Sequence, residues 1–232
     1  MRWIVREREM KIMKKIGSMF SIVVVLLIFV WGLIYIEDIL YAFENNQTVN
    51  AEEWNLMLVN RENKVPNNYT VELTQLSNGE QVDSRIYLSL QQMFDDARGQ
   101  GVQPVVISGY RTHNKQEALM QEKIAAYEAE GNSRSEAKRL AENWVAIPGT
   151  SEHQLGIAVD IRANKDGSST NEQVYEWLSQ NAHKYGFILR YPANKVEITG
   201  INYEPWHYRY VGNEAALEIY ERGVCLEEYL AD

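Results

Sequence analysis

A histidine and an aspartate seven residues apart, His153 and Asp160, are the pair from which the chemistry of this sequence is read. They lie in Pro148-Gly149-Thr150-Ser151-Glu152-His153-Gln154-Leu155-Gly156-Ile157-Ala158-Val159-Asp160-Ile161-Arg162. The stretch opens as a turn, with Pro, Gly and small hydroxyl residues. It closes on an apolar, β-branched run, Ile157 to Ile161, which reads as a buried strand. Asp160 sits inside that run, and a buried carboxylate is costly unless a positive group meets it. A metal cation shared with His153 would meet it, and Gly156 lets the chain bend between the two. Two side chains make half a site. His207, in Glu204-Pro205-Trp206-His207-Tyr208-Arg209-Tyr210, is the candidate third ligand.

Three motifs now stand together: Ser-x-His-x-x-Gly-x-Ala-x-Asp (Ser151 to Asp160), Glu-x-Trp-His (Glu204 to His207) and Ser-Gly-Tyr-Arg (Ser108 to Arg111). In their order along the chain, Ser108 to Arg111 first, they resemble the zinc D-alanyl-D-alanine carboxypeptidases of the VanY type, relatives of the VanX dipeptidases and of bacterial L,D-carboxypeptidases. The resemblance covers Trp54 to Gly212. It implies a Zn2+ cofactor held by His153, Asp160 and His207, and a general base at Glu204. Two imidazoles and one carboxylate, with a fourth position open, is a ligand set that catalytic zinc takes. Taken singly, each histidine would be read as a hydrogen-bonded core residue, Asp160 as a salt-bridge partner and Glu204 as a solvated carboxylate. The joint occurrence is what favours chemistry.

Arg111 follows a buried strand and is the candidate cation for a developing oxyanion. The resemblance also turns it toward the substrate, together with Gln116 and Ser151. Hydroxyl, amide and guanidinium donors suit a terminal carboxylate. Ser151 could equally bond its own turn, and Gln116 could equally sit on a solvated helix face. His113 and His183 stay outside the ligand set; His183 reads as a helix C-terminal residue favoured by the dipole.

The elements that position these residues follow from periodicity. Trp54 to Asn60 reads as a first strand. Ser84 to Gly99 has apolar residues at helical spacing and ends at Gly99 and Gly101. Val102 to Ser108 reads as a strand, and Asn114 to Tyr127 and Ser133 to Trp144 as helices. Ser133 and Glu136 have capping-box spacing. Thr170 to Lys184 is a helix with an inner stripe of Val174, Trp177, Leu178 and Ala182, stopped by Gly186. Phe187 to Tyr191 and Trp206 to Val211 are strands, the second with Trp206, Tyr208 and Tyr210 on one face and His207, Arg209 and Val211 on the other. Asn213 to Arg222 is a last helix. Without a βαβ rhythm, this is an α+β domain with a small, mostly antiparallel sheet and flanking helices.

The N-terminus reads differently. Residues 1–15 hold six basic and two acidic side chains, and Ile16 to Ile36 runs 21 residues without a charge. As a helix, that run spans roughly 30 Å, a bilayer's hydrocarbon core. A cleaved signal peptide would have an apolar stretch of about 7–15 residues and a small-residue cleavage site, and Ile36-Glu37-Asp38-Ile39-Leu40 offers none. The expectation is a cytoplasmic basic segment (1–15), a transmembrane anchor (16–36), a linker (37–53) and an external zinc peptidase domain (54–232). The chain carries 32 acidic against 23 basic residues, and six of the basic ones precede Ile16. The rest is strongly acidic, which argues against a nucleic-acid partner. A lone cysteine, Cys225, excludes an intrachain disulfide.

The function expected is a membrane-anchored D,D-carboxypeptidase that removes C-terminal D-Ala, or a D-hydroxy acid, from peptidoglycan stem peptides. The rivals are an L,D-carboxypeptidase acting on tetrapeptide stems and an inactive wall-binding module. Retention of Glu204 disfavours the last, because a binding module has no use for a base.

Overall fold

Asn78-Gly79 turns the chain back on itself, joining Leu73–Gln75 (β1) to Gln81–Asp83 (β2) as an antiparallel hairpin. This two-stranded sheet shares no ladder with the sheet that builds the site, but it hydrogen-bonds to the site's flanks, Asp83 N–H to the Gly156 carbonyl at 2.9 Å and Tyr110 N–H to the Gln81 carbonyl at 2.6 Å. The computed structural model of the chain describes residues 54–231. The expected cytoplasmic segment, transmembrane anchor and linker lie outside the described residues. Among the described residues, no helix is long and apolar enough to cross a membrane.

The site-bearing sheet contains Pro104–Ser108 (β3), Ala158–Ala163 (β4), Phe187–Leu189 (β5) and His207–Tyr210 (β6), in the order β3-β4-β6-β5. All its pairings are antiparallel, so the α+β expectation holds. Strand alternation divides its residues. Val106, Val159, Ile161, Phe187 and Tyr208 enter the main core, while Asp160 and His207 lie on the other face. Each fully buried Val or Ile is worth about 1.5–3 kcal/mol. A one-residue slip of β4 would exchange Val159 and Ile161 for Asp160, so the core fixes the register of the site.

Helices Tyr87–Gly99 (α1) and Asn171–Asn181 (α4) cover the core face. The helix α1 buries Leu90, Met93, Phe94 and Ala97, one face at helical spacing. The expected stripe, Val174, Trp177 and Leu178 of α4 and Ala182 just past its end, is in the core throughout. Thr170 and Gln173 form a full capping box at its start. Between them in sequence, His113–Ala129 (α2) and Arg134–Ala141 (α3) form a satellite pair packed through Met120, Ile124, Ala137 and Ala141. Ser133 caps α3 by accepting from the Glu136 N–H at 3.3 Å. Only half of the expected box forms, because the Glu136 side chain pairs with Arg139 instead. Short Val196–Thr199 (α5), then Asn213–Arg222 (α6) and Leu226–Tyr229 (α7), complete the unit.

One expected strand is corrected. Trp54 to Asn60 opens with a helical turn and makes no ladder. The backbone carbonyls of Asn55 and Met57 accept instead from Arg209 Nη2, at 2.8 and 3.0 Å. The segment has found a side-chain donor where a strand would need a neighbouring backbone.

Candidate metal centre

Ser108, Asp160 and His207 lie in one row across the sheet: Ser108 pairs with Asp160, and Asp160 with His207. His153 reaches the same place from the short 3-10 turn Glu152–Leu155 just before β4. Gly156 ends that turn at φ +76°, a left-handed conformation that costs glycine little. A Cβ there would also meet the Asp83 nitrogen at 3.1 Å. The chain therefore reverses tightly enough for His153 and Asp160 to face each other, with His153 Nε2 to Asp160 Oδ1 at 3.4 Å.

His207 Nδ1 lies 3.3 Å from the same Asp160 oxygen. One donor atom each from His153, Asp160 and His207 falls within 4.8 Å of the others. All three side chains are buried. Among the described residues, His153 Nε2 and Asp160 Oδ1 have no hydrogen-bond partner. Buried polar atoms without partners are costly, and a cation between them removes that cost. His153 Nδ1 is 2.8 Å from the Gly109 carbonyl oxygen. A carbonyl only accepts, so Nδ1 carries the proton and Nε2 presents its lone pair inward. The donor set of two imidazoles and a carboxylate fits zinc.

Glu204 is buried beside this centre, its Oε2 3.5 Å from His207 Nδ1. Burial, aided by the Asp160 charge, pushes its carboxyl up to about 7, against the pull of His207 and Arg111. Burial also works against the charge of Asp160, yet His153 and His207 hold it well below the usual carboxylate range. Burial and Arg111 push His153 down to about 4. His207 moves the other way: burial opposes its charge, but Asp160, Glu152 and Glu204 raise it to about 9.

With its value raised to about 9 by Asp160, Glu152 and Glu204, His207 is expected to carry a charge at neutral pH without metal, and a ligating imidazole must be neutral. Zinc binding at pH 7 is expected to release at least about one proton per chain, and apparent affinity should climb as pH rises toward about 9. Calorimetry in buffers of different ionisation heat measures this. Release near zero would mean that His207 is already neutral.

Arg111 follows β3, as the sequence implied, and is tied in place. Its Nε donates to Ser108 Oγ at 2.7 Å, its Nη1 to Gln116 Oε1 at 3.4 Å, and its Nη2 pairs with Asp160 Oδ2. Arg111 thus touches a metal-site carboxylate as well as the cavity. Gln116 is fully buried, so the solvated-face alternative does not apply; its amide donates to the Ala146 carbonyl at 2.8 Å. Ser151 is buried, makes no side-chain capping bond, and lines the cavity. The turn-hydroxyl alternative therefore loses its basis. His113 is exposed at the start of α2, and His183 stacks on Tyr220 at 3.7 Å between ring centroids. Neither belongs to the centre.

The cavity over the centre has a volume of about 620 Å3. It runs from His153, Asp160, Glu204 and His207 past Arg111 to the α2 residues Leu119, Lys123 and Tyr127 and to Trp144.

The comparisons with known proteins agree with this geometry. Residues 79–213 match the family model of VanY, D-alanyl-D-alanine carboxypeptidase. The chain belongs to the VanY family. A D-alanyl-D-alanine carboxypeptidase of Enterococcus faecalis (strain ATCC 700802 / V583) is 60% identical over 180 residues, covering 77% of this chain and 66% of that protein. This chain thus spans just under two thirds of that relative. A solved VanY variant from a VanB-type vancomycin-resistance cassette, in complex with Zn(II), is 60% identical, with TM-score 0.75 and coverage of 77% and 99%. VanYB in complex with D-alanine-D-alanine is 59% identical, with TM-score 0.76 and coverage of 77% and 98%. The LdcB LD-carboxypeptidase is more distant, at 35% identity and TM-score 0.63, with coverage of 77% and 86%. The expected zinc D-alanyl-D-alanine carboxypeptidase class is thus met by the VanY relatives. Zinc is found in one of them, and His153, Asp160 and His207 are the residues here that would hold it.

One residue of the centre went unseen in the sequence. Glu152 is 1% exposed and lies behind His207. Its partners, Arg190 and Arg209, are 38 and 57 residues away. The signal that could have found it is the alternation of β6, which puts Arg209 on the face of His207.

Proposed function

We propose that this VanY-family chain is a membrane-anchored D,D-carboxypeptidase acting outside the cell on peptidoglycan stem peptides. The observation that carries the reading is the juxtaposition of Glu204, raised to about 7, with the buried His153, Asp160 and His207 at the floor of one cavity. Zinc, when bound, supplies Lewis-acid activation of water and of the scissile carbonyl. Glu204 accepts the attacking water's proton at its carboxylate and passes it to the departing amine of D-Ala. Arg111, at the cavity wall, offers positive charge to the oxyanion that develops. Ser151 and Arg111 are the groups at hand for the terminal carboxylate of the peptide.

D,D specificity is supported by the higher identity to VanY relatives, about 60%, than to LdcB, 35%. A longer substrate is supported by the cavity, whose volume of about 620 Å3 falls in the range of about 300–1,000 Å3 that encloses drug-sized ligands. Peptide residues remote from the scissile bond can then contribute to turnover as well as to affinity. A pentapeptide ending in D-Ala-D-Ala is therefore expected to exceed the free dipeptide in kcat/KM by at least about tenfold, roughly 1.4 kcal/mol. D-Ala release by the same domain from both substrates, with a tetrapeptide stem alongside, measures it. Equal efficiency on the dipeptide, or faster release from the tetrapeptide, would reject the assignment.

The external placement rests on the sequence of residues 1–36 alone. A protease applied to intact, wall-stripped cells is expected to remove the domain that begins at Trp54, leaving an N-terminal reporter protected. A protected domain would reverse the topology.

A further inference from the structure

Behind His207 lies a buried ion cluster that the chemistry above leaves unused. Glu152, Arg190 and Arg209 are each at most 1% exposed. Arg190 Nε and Arg209 Nη1 both donate to Glu152 Oε1, at 2.7 and 2.8 Å. Arg190 spends its other nitrogens on Glu227, at 2.8 and 2.6 Å. Arg209 spends its own on the backbone oxygens of Tyr210, Asn55 and Met57. One carboxylate oxygen of Glu152 is thus held by two guanidinium groups. The other, Oε2, is buried with no hydrogen-bond partner among the described residues. It lies 3.6 Å from His207 Nε2, a ring nitrogen equally buried and equally without a partner.

The two unpartnered atoms answer each other. His207 turns Nδ1 toward Asp160 and Glu204, and Nε2 toward Glu152. A ring that presents a lone pair at Nδ1 must carry its proton at Nε2, and only an acceptor there favours that form. We propose that Glu152 is a positioning residue of the metal centre: its Oε2 accepts the Nε2–H of His207, fixing the ring and its tautomer, while Arg190 and Arg209 hold Glu152 in place. Outer carboxylates commonly orient metal-ligating histidines in this way. Burying two guanidinium groups around a carboxylate is an expensive route to stability, and apolar residues often serve as well. An aimed carboxylate gives the expense a purpose. The two motifs share the work: Glu152 precedes His153, and Arg209 follows His207 by two residues on the same strand face. This inference rests on His207 being a zinc ligand.

The test compares zinc-loaded wild type with Glu152→Gln, Glu152→Asp and Glu227→Gln. Zinc affinity is measured by competition with a chelator, folding by thermal melting, and the His207 tautomer by nitrogen-15 correlation spectra. Wild type should show His207 protonated at Nε2. Glu152→Gln should weaken zinc binding about 10–100-fold. Glu152→Asp keeps a charge for both arginines but withdraws it from the ring, so it should stay folded and still bind zinc more weakly. Glu227→Gln removes an Arg190 partner at the far end of the cluster; it should lower the melting temperature and leave zinc affinity alone. Folded Glu152 variants with wild-type affinity would sink the proposal, as would equal weakening in Glu227→Gln, which would mark a merely structural cluster. A wild-type His207 protonated at Nδ1 overturns it whatever the variants do. A wild type that binds no zinc fails the ligand reading itself, and this inference with it.

Discussion

Glu204→Gln is expected to keep its zinc and lose about 10²–10⁴-fold or more in turnover. The substitution preserves size and shape in a pocket where Glu204 is 6% exposed. It removes only the ability to take a proton. Glu204 stands 3.5 Å from His207 Nδ1 without belonging to the three-residue ligand set, so the metal should remain. Its carboxyl, pushed up to about 7 by burial, is suited to accept a proton and return it near neutral pH. The bound cation pulls that value down, so the ascending limb of kcat/KM should lie below about 7 in the loaded enzyme and vanish with the carboxylate. Metal analysis beside a D-Ala release assay separates the two effects. Near-normal turnover with full zinc would leave the base to be found elsewhere.

His207→Ala is expected to lose both zinc and activity. It removes one of three ligands and opens a cavity against the Tyr191 and His153 rings, whose centroids lie 4.8 and 4.9 Å from that of His207. It also strands Asp160 Oδ1 and Glu152 Oε2, both buried. Affinity should fall by more than the about 10–100-fold typical of outer-sphere partners, taking zinc from about one per chain to almost none. A chelator should do the same to wild type. Added zinc should restore the wild type and leave His207→Ala inactive. Full zinc content in the variant would discard His207 as a ligand.

The ligands were legible because two of them sit on a turn and strand whose residue types have few other uses. A charged Asp160 inside Ile157 to Ile161 calls for a cation, and the Glu-x-Trp-His motif supplies the missing histidine. The strands and helices around them were legible from periodicity, down to the stripe of α4. What escaped was set by partners distant in sequence. Trp54 to Asn60 has a strand's composition, but Arg209, more than 150 residues away, takes its carbonyls. The hairpin of β1 and β2 has only three residues per strand, too few for alternation to register. Gln116 carries no mark in sequence of whether its helix face is inward; the packing of α2 against the Ala146 carbonyl decides it. Glu152 reads as an ordinary turn residue until two arginines converge on it.

The pairing of Asp160 with His207 has a further effect. These residues belong to neighbouring strands, β4 and β6, and His153 belongs to the turn that leads into β4. An ion gripped by all three works as a rivet through the middle of the sheet. Peeling β6 from β4 would then require the ion to leave first. Zinc that binds the native chain and not the unfolded one adds RT ln(1 + [Zn]/Kd) to stability, about 4 kcal/mol at a thousandfold excess over Kd. The melting temperature should therefore follow free zinc. The zinc supply would govern how long each molecule survives as well as how fast it works.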